Sequence, residues 1–424
     1  MKIKSFTVDG LLGSHDAICL DFNEDLNIFT GRNGSGKTTI LKLMWYLISG
    51  NFDKAVAEIN FKSATLKTDI YTLEVEVDYN NKIDPLKSSL EIEHIHYFNG
   101  FEKDDKLTNI ILNKSIKNIS WFLTQYVESS FFMPTFRIIE GGFTTEKYEI
   151  ENDVLRDFYL KNNEEKGYSD IAIDLNKLSS KLSKREHKFI TTISANDIDI
   201  FLVKKYAEIM KKVNSSQAER LNLMSKHIQI LFSSGKKVDK SITEKIKLLE
   251  EETNLIKEPL SKLRKALIDF MPKFRISFDD KIYFYDTSKS SNEEIEEIEI
   301  VEDPNITFDF DVHPNFEEIE IVELDDDSPV EEIETLTINN LSAGEKQILT
   351  FIAYNIFNNN TIFFIDEPEL SLHVDWQSKI FSLLKEQNPT NQFIISTHSP
   401  FIYSLFPDKE LVINDDKGCS EFEL

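Results

Sequence analysis

Residues 26–47 constrain the fold more tightly than any other stretch. Leu26-Asn27-Ile28-Phe29-Thr30 reads as a short buried strand, and Thr39-Ile40-Leu41-Lys42-Leu43-Met44-Trp45-Tyr46-Leu47 reads as a helix. Between them lies Gly31-Arg32-Asn33-Gly34-Ser35-Gly36-Lys37-Thr38, which meets the spacing G-x-x-x-x-G-K-[ST]. Gly31, Gly34 and Gly36 free the backbone to curl with its N–H groups inward, and the following helix adds the positive end of its dipole. Strand, glycine loop and helix together form a phosphate cradle on an α/β framework. Asn33, Gly34, Ser35, Gly36, Lys37, Thr38 and Thr39 are its candidate binding residues. Lys37 would reach the β- and γ-phosphates of ATP, and Thr38 would ligate Mg²⁺. A glycine-rich turn before a core helix is the bland alternative.

Two further oily runs end in polar chemistry. Thr361-Ile362-Phe363-Phe364-Ile365 has the continuous apolar character of a buried parallel strand and stops at Asp366-Glu367-Pro368-Glu369. Carboxylates at a strand's carboxyl end sit where α/β sheets bind ligands. Asp366 is expected to hold Mg²⁺ and Glu367 to polarise the attacking water. Gln392-Phe393-Ile394-Ile395-Ser396-Thr397 stops at His398-Ser399-Pro400, and a His there can donate to a γ-phosphate or position water. Taken alone, the first reads equally as a solvated acidic turn and the second as a structural His.

The order of the phosphate loop, then Leu341-Ser342-Ala343-Gly344-Glu345-Lys346, then Asp-Glu-Pro-Glu, then Ser396-Thr397-His398-Ser399-Pro400 resembles the ABC-type ATPases. Within them it is similar to the branch of SMC, RecF and OLD-like ATPases. The stretch Glu369-Leu370-Ser371-Leu372-His373-Val374-Asp375-Trp376-Gln377 matches that branch's E-x-x-L-H-x-x-x-Q. The resemblance implies an ABC-type P-loop ATPase head, with a mixed sheet and a helical lobe. It implies Glu367 as catalytic base and His398 as a γ-phosphate switch. Ser342 and Gly344 would act in trans on the ATP of a second copy, making nucleotide binding and head-to-tail association one event. Ser371 and His373 would couple the two sites.

This sequence departs from the family in two places. The Gln that usually ligates Mg²⁺ near the inserted region has no counterpart in Ser129-Ser130-Phe131-Phe132-Met133-Pro134-Thr135-Phe136-Arg137, where Arg137 is the candidate phosphate contact. The F-x-P-T-x-R pattern looks like that of several prokaryotic anti-phage ATPases. The loop Gly10-Leu11-Leu12-Gly13-Ser14-His15 offers no ring but His15 to stack on a base.

About 300 residues separate Lys37 from Ser342, more than a compact nucleotide-binding lobe uses. An insertion is therefore expected, with boundaries near 150 and 275. Residues 195–235 and 238–271 read as a helical hairpin turning at Ser233-Ser234-Gly235-Lys236-Lys237. Ile242, Ile246, Leu249, Leu255, Ile256, Leu260, Leu263, Leu267 and Phe270 recur at helical spacing in its second arm. The expected layout is 1–150 and 276–424 for the two halves of the head and 151–275 for the insertion.

The chain carries 74 acids against 48 bases, a net charge of −26. Residues 293–334 hold 19 Asp or Glu and no Lys or Arg, with Glu-Glu-Ile-Glu-Ile-Val-Glu repeated at 296–302 and 317–323. Ile298, Ile300, Ile319 and Ile321 alternate with acids as in edge strands, giving either a solubilising face or a docking surface for a basic partner. That charge disfavours direct DNA binding, which needs Lys and Arg against phosphates, although bases cluster at 181–188, 204–205, 211–212 and 236–245. Two distant cysteines, Cys19 and Cys419, give no disulfide framework, and no apolar run reaches membrane-spanning length. A cytoplasmic ATPase is expected. With 26 residues after His398, an appended nuclease is not expected. The function that follows is a sensor or scaffold ATPase acting through a separate effector, a nuclease, as in the ATPase subunits of anti-phage systems such as PARIS and Septu. The competing reading is a RecF- or SMC-type DNA repair ATPase.

Overall fold

The computed structural model describes residues 1–79, 86–92, 116–126, 128–135, 178–190, 195–234, 240–278, 282–286 and 335–413. Arg137, the acidic stretch 293–334, the turn at 235–237 and Cys419 lie outside them. The chain forms two compact units, Met1–Ser194 with Ser342–Leu424, and Ala195–Leu341.

The first unit begins with β1 (Ile3–Asp9), β2 (Ile18–Asp21) and β3 (Leu26–Thr30), then α1 (Lys37–Ile48) and α2 (Phe52–Glu58). It continues through β4 (Ser63–Thr68), β5 (Tyr71–Val77), β6 (Leu86–Ile92), α3 (Ile116–Tyr126), β7 (Ser130–Met133) and β8 (His187–Phe189). One sheet is antiparallel, in the order β2-β1-β4-β5-β6. Its strands alternate as a one-sided sheet must: Tyr71, Leu73, Val75 and Val77 are buried while Glu74 and Glu76 face outward.

The second unit holds α4 (Ala195–Ser234), α5 (Lys240–Phe270) and an antiparallel sheet of β9 (Phe274–Phe278), β10 (Ile282–Asp286) and β11 (Thr335–Thr337), with β10 central. The helical hairpin is present as read from the sequence. Its buried stripe runs Leu249, Thr253, Leu260, Leu263, Leu267 and Phe270, in steps near three and four. Leu255, expected on that stripe, is 67% exposed, because it falls off the face that Thr253 and Leu260 share. Ser216 and Thr253 place their hydroxyls 3.0 Å apart inside the hairpin, and each donates to the carbonyl of Leu249. The units divide at 194/195 and 341/342, not near 150 and 275. The reason is pairing: β8 joins the sheet of the first unit, whereas β9, β10 and β11 pair only with one another among the described residues.

After the insertion come α6 (Ala343–Phe357), β12 (Ile362–Asp366), α7 (Val374–Gln387), β13 (Gln392–Ser396), α8 (Pro400–Tyr403) and β14 (Glu410–Val412). They complete a parallel six-stranded sheet in the order β14-β3-β13-β12-β7-β8. Every residue of β3, β7, β12 and β13 is buried, as parallel strands covered on both faces require. Aromatic rings in register tie the strands together. Phe131, Phe363 and Phe393 stack at 5.3 Å intervals across β7, β12 and β13. On another surface Trp45 of α1 packs against Phe132 at 5.7 Å and Phe189 at 5.3 Å. Each such side chain, fully buried, contributes roughly 1.5–3 kcal/mol. The result is α/β: a parallel sheet and an antiparallel sheet in the first unit, and a helical hairpin with a small antiparallel sheet in the second.

Candidate functional site

The parallel sheet delivers its loops to one edge. β3 feeds the phosphate loop, β12 ends at Asp366, and β13 ends at Ser396, which is the register partner of Asp366. The loop curls as its glycines permit, with φ of +134° at Gly31, +80° at Gly34 and +94° at Gly36. Helix α1 starts at Lys37 with no acidic residue in its first turn, so the positive end of its dipole faces the loop uncompensated. The Lys37 ammonium donates to the carbonyls of Gly31 at 3.0 Å and Arg32 at 2.9 Å. Burial draws its pKa below the ordinary lysine value, against the opposing pull of Glu367, Asp366 and Glu369. A cation held at a helix start beside a curled glycine loop is suited to a polyphosphate.

Asp366 is 2% exposed and is surrounded by hydroxyls. Thr38 Oγ1 donates at 2.9 and 3.1 Å to its two oxygens, Thr135 Oγ1 donates to Oδ2 at 2.7 Å, and Ser396 Oγ donates to Oδ1. These are hard oxygen groups, the set that suits Mg²⁺. Among the described residues no three His, Cys, Asp or Glu cluster as a metal cage. Mg²⁺ rarely uses one, since it is held by one or two carboxylates together with substrate phosphates. Asp366 beside the phosphate loop fits that requirement, with Thr38 as the adjacent hydroxyl.

Glu367 follows in a left-handed backbone conformation, φ +49°, which costs an L-residue roughly 1–2 kcal/mol. Its N–H donates to the carbonyl of Ser396 at 2.9 Å, fastening the turn to β13. Burial raises the Glu367 pKa, and the charges of Asp366 and Glu369 add to the rise, opposed by His398 and Lys37. His398 is exposed at the end of the segment after β13, and its backbone N–H donates to Glu369 Oε1 at 2.7 Å. A carboxylate of raised pKa beside a buried, hydroxyl-bound carboxylate can accept a proton from water.

The serine–glycine segment starts helix α6. Ser342 is its exposed N-cap, in a reciprocal capping box: Ser342 N–H donates to Glu345 Oε2 at 2.7 Å and Glu345 N–H to Ser342 Oγ at 3.4 Å. Gly344 is buried, and a Cβ there would stand 2.5 Å from the Ser371 carbonyl oxygen and 3.2 Å from the Trp376 ring. Ser371 itself has φ +68°. The turn after Asp366 therefore packs directly on the first turn of α6. Gln347 Nε2 donates to the carbonyl of Pro368 at 2.9 Å, reinforcing that contact. Gln377 completes the fastening. Its Nε2 donates to Leu372 at 2.9 Å and Glu369 at 3.4 Å, while Ser399 Oγ donates to its Oε1 at 2.6 Å.

The structure thus brings Lys37, Thr38, Asp366, Glu367 and His398 to one sheet edge, with Gly34, Ser35 and Gly36 in the loop and Asn33 exposed upon it. Thr39 is half-buried on α1. Ser342 and Gly344 engage their own helix and the Ser371 turn. Thr135, Ser396 and Gln377 belong to the cluster but drew no role from the sequence. Thr135 and Ser396 each lie at or just past a strand end, which is the signal that could have found them.

A model of the AAA ATPase domain matches residues 1–403. The chain is 33% identical over 94 residues to the "Retron Vc95 probable ATPase" of Vibrio cholerae serotype O1 biovar El Tor, covering 19% of this chain and 18% of that protein. It is 38% identical over 79 residues to the "Retron Ec83 probable ATPase" of Escherichia coli, covering 16% and 15%. The matches therefore span less than a fifth of the length of those relatives. Among solved structures, the Smc head domain of Pyrococcus furiosus bound to the C-terminal domain of ScpA aligns over 95% of this chain and 91% of its own, at 12% identity and TM-score 0.36. The SMC head domain from Thermotoga maritima aligns over 95% and 92%, at 10% identity and TM-score 0.40. With nearly its whole length matched by the family model, and the phosphate loop, Asp366 and Glu367 gathered at one edge, the chain belongs to the AAA ATPase domain family.

Proposed function

We propose that this ATPase is a sensor or scaffold that associates head to tail around ATP and Mg²⁺ and controls a separate effector, a nuclease, in anti-phage defence. The loop N–H groups and Lys37 bind the phosphates. Thr38 and Asp366 hold Mg²⁺, which when bound offsets phosphate charge. Glu367 accepts the proton of the attacking water, and His398 reads the γ-phosphate. Ser342 would reach nucleotide held by a second copy, and its exposure at the start of α6 supports that role. The observation that carries the catalytic part is the buried Asp366, gripped by Thr38 next to a carboxylate of raised pKa. The retron ATPases among the relatives support the defence setting.

The test is Glu367→Gln, which keeps size and hydrogen bonding but removes the base. Turnover should fall by about 10²–10⁴-fold, the usual contribution of a general base. With ATP and Mg²⁺ the variant should double its mass by light scattering and, purified from cells, should retain an effector protein. Wild-type turnover in the variant would refute the base assignment. A monomer at saturating ATP would refute head-to-tail association.

A further inference from the structure

The carboxyl end of β7 contributes a hydroxyl to the site that neither the motif spacing nor the relatives assign. β7 pairs with β12 in the register Met133↔Ile365, so the next residues of β7 run alongside Asp366 and Glu367. Pro134 has no N–H to continue the ladder and holds Met133 in extended backbone. Thr135 then turns over the strand end, and its Oγ1 donates to Asp366 Oδ2 at 2.7 Å.

The other hydroxyls leave Oδ2 without a donor of its own. Ser396 Oγ donates to Oδ1, and Thr38 Oγ1 bisects the two oxygens at 2.9 and 3.1 Å. A carboxylate rotates freely about its last torsion, which is broad and two-fold. Thr135 is the hydroxyl that grips Oδ2 alone, so it and Ser396 on Oδ1 together set the plane. Mg²⁺ tolerates little departure from octahedral geometry, and the partners that orient a ligating carboxylate matter about 10–100-fold in metal affinity.

We propose that Thr135 is a positioning residue of the divalent-cation site, so that the site is built on the ends of β7, β12 and β13 together with the start of α1. This rests on the reading of Asp366 as the cation-holding carboxylate.

The experiment uses Glu367→Gln protein, in which turnover is expected to be slowed, and titrates MgCl₂ while following binding of a fluorescent ATP analogue. Adding Thr135→Val, which keeps shape but removes the hydroxyl, should raise the half-saturating Mg²⁺ about 10–100-fold. Binding of the analogue in EDTA should not change. Thr135→Ser, which restores the hydroxyl, should return the midpoint to its starting value. Thr38→Val is the reference that must move it. An unmoved midpoint in Thr135→Val beside a shifted one in Thr38→Val overturns the role of Thr135 while leaving Asp366 in place. Equal shifts in Thr135→Ser and Thr135→Val overturn it too, because loss of packing and not of the hydroxyl would then be the cause. No Mg²⁺ dependence in any protein overturns the assignment of Asp366 itself.

Discussion

His187 makes the sheet that carries the site sensitive to acid. The ring is fully buried on β8, with Nδ1 2.8 Å from Ser130 Oγ of β7 and Nε2 3.4 Å from the carbonyl of Leu123 on α3. Those partners suit the neutral Nε2–H tautomer, which donates to the carbonyl and accepts from the hydroxyl. Burial pushes its pKa down to about 4, against the Leu123 carbonyl, with Lys184 and Lys188 adding to the fall. The unfolded chain has the ordinary value of about 6.5 and so binds the extra proton first. Stability is therefore complete above pH 6.5 and is lost as pH falls toward 4. The slope is about 1.4 kcal/mol per unit and the total about 3 kcal/mol, a large part of the 5–15 kcal/mol of a typical domain. Trp45, Trp121 and Trp376 all lie in the unit that contains His187, so urea melts followed by tryptophan fluorescence report on it alone. Between pH 6.5 and 4.5 the wild-type free energy should fall about 2–3 kcal/mol further than that of His187→Gln, which cannot ionise. Other titrations cancel in that difference. Parallel curves for the two proteins would refute the buried neutral ring.

Two other perturbations probe the turn after β12. Gly344→Ala places a methyl 2.5 Å from the Ser371 oxygen, and backbone has to move, so the protein should lose about 1–3 kcal/mol without nucleotide; an unchanged melt would show that the turn is not packed on α6. Gln377→Glu keeps volume but cannot donate to Leu372 or Glu369; turnover should fall at least about ten-fold with ATP affinity within about two-fold, and a loss confined to affinity would contradict a positioning role.

The head was legible wherever chemistry dictates residue type. A phosphate cradle needs glycines that reach positive φ and a Lys at the helix start, and Gly31, Gly34, Gly36 and Lys37 are found doing this. The strands before Asp366 and His398 were legible because parallel strands in a sheet's interior cannot alternate in polarity. The hairpin was legible from its period. What escaped has a common cause: pairing across long sequence separation leaves no local trace. Thr135 meets Asp366 across 231 residues, and nothing in its own neighbourhood names that partner. His187 on the three-residue β8 is equally silent, since a lone buried His looks like any other until Ser130 and Leu123 are beside it. The unit boundary escaped because it depends on which strands β9 and β10 choose, and their apolar alternation suits either unit.

The hydrogen bonds around residues 366–377 bear on whether two nucleotide sites could fire independently. The turn is fixed to α6 by the Gly344–Ser371 packing and by Gln347 to Pro368. It is fixed to the end of β13 by Glu367 to Ser396, by His398 to Glu369 and by Ser399 to Gln377. On the proposed reading, Ser342 touches a partner's nucleotide and His398 its own. Both then hang on one short turn, held at Glu367 and Ser371 in left-handed backbone that only surrounding contacts can maintain. Packed elements of this kind shift between discrete arrangements and do not deform smoothly. A γ-phosphate that moves His398 moves the turn, and the turn moves α6. Hydrolysis in one site is then felt at the other through Gln377, and Gln377→Glu should lower the cooperativity of turnover along with its rate. A variant with reduced rate and unchanged cooperativity would place the coupling elsewhere in the protein.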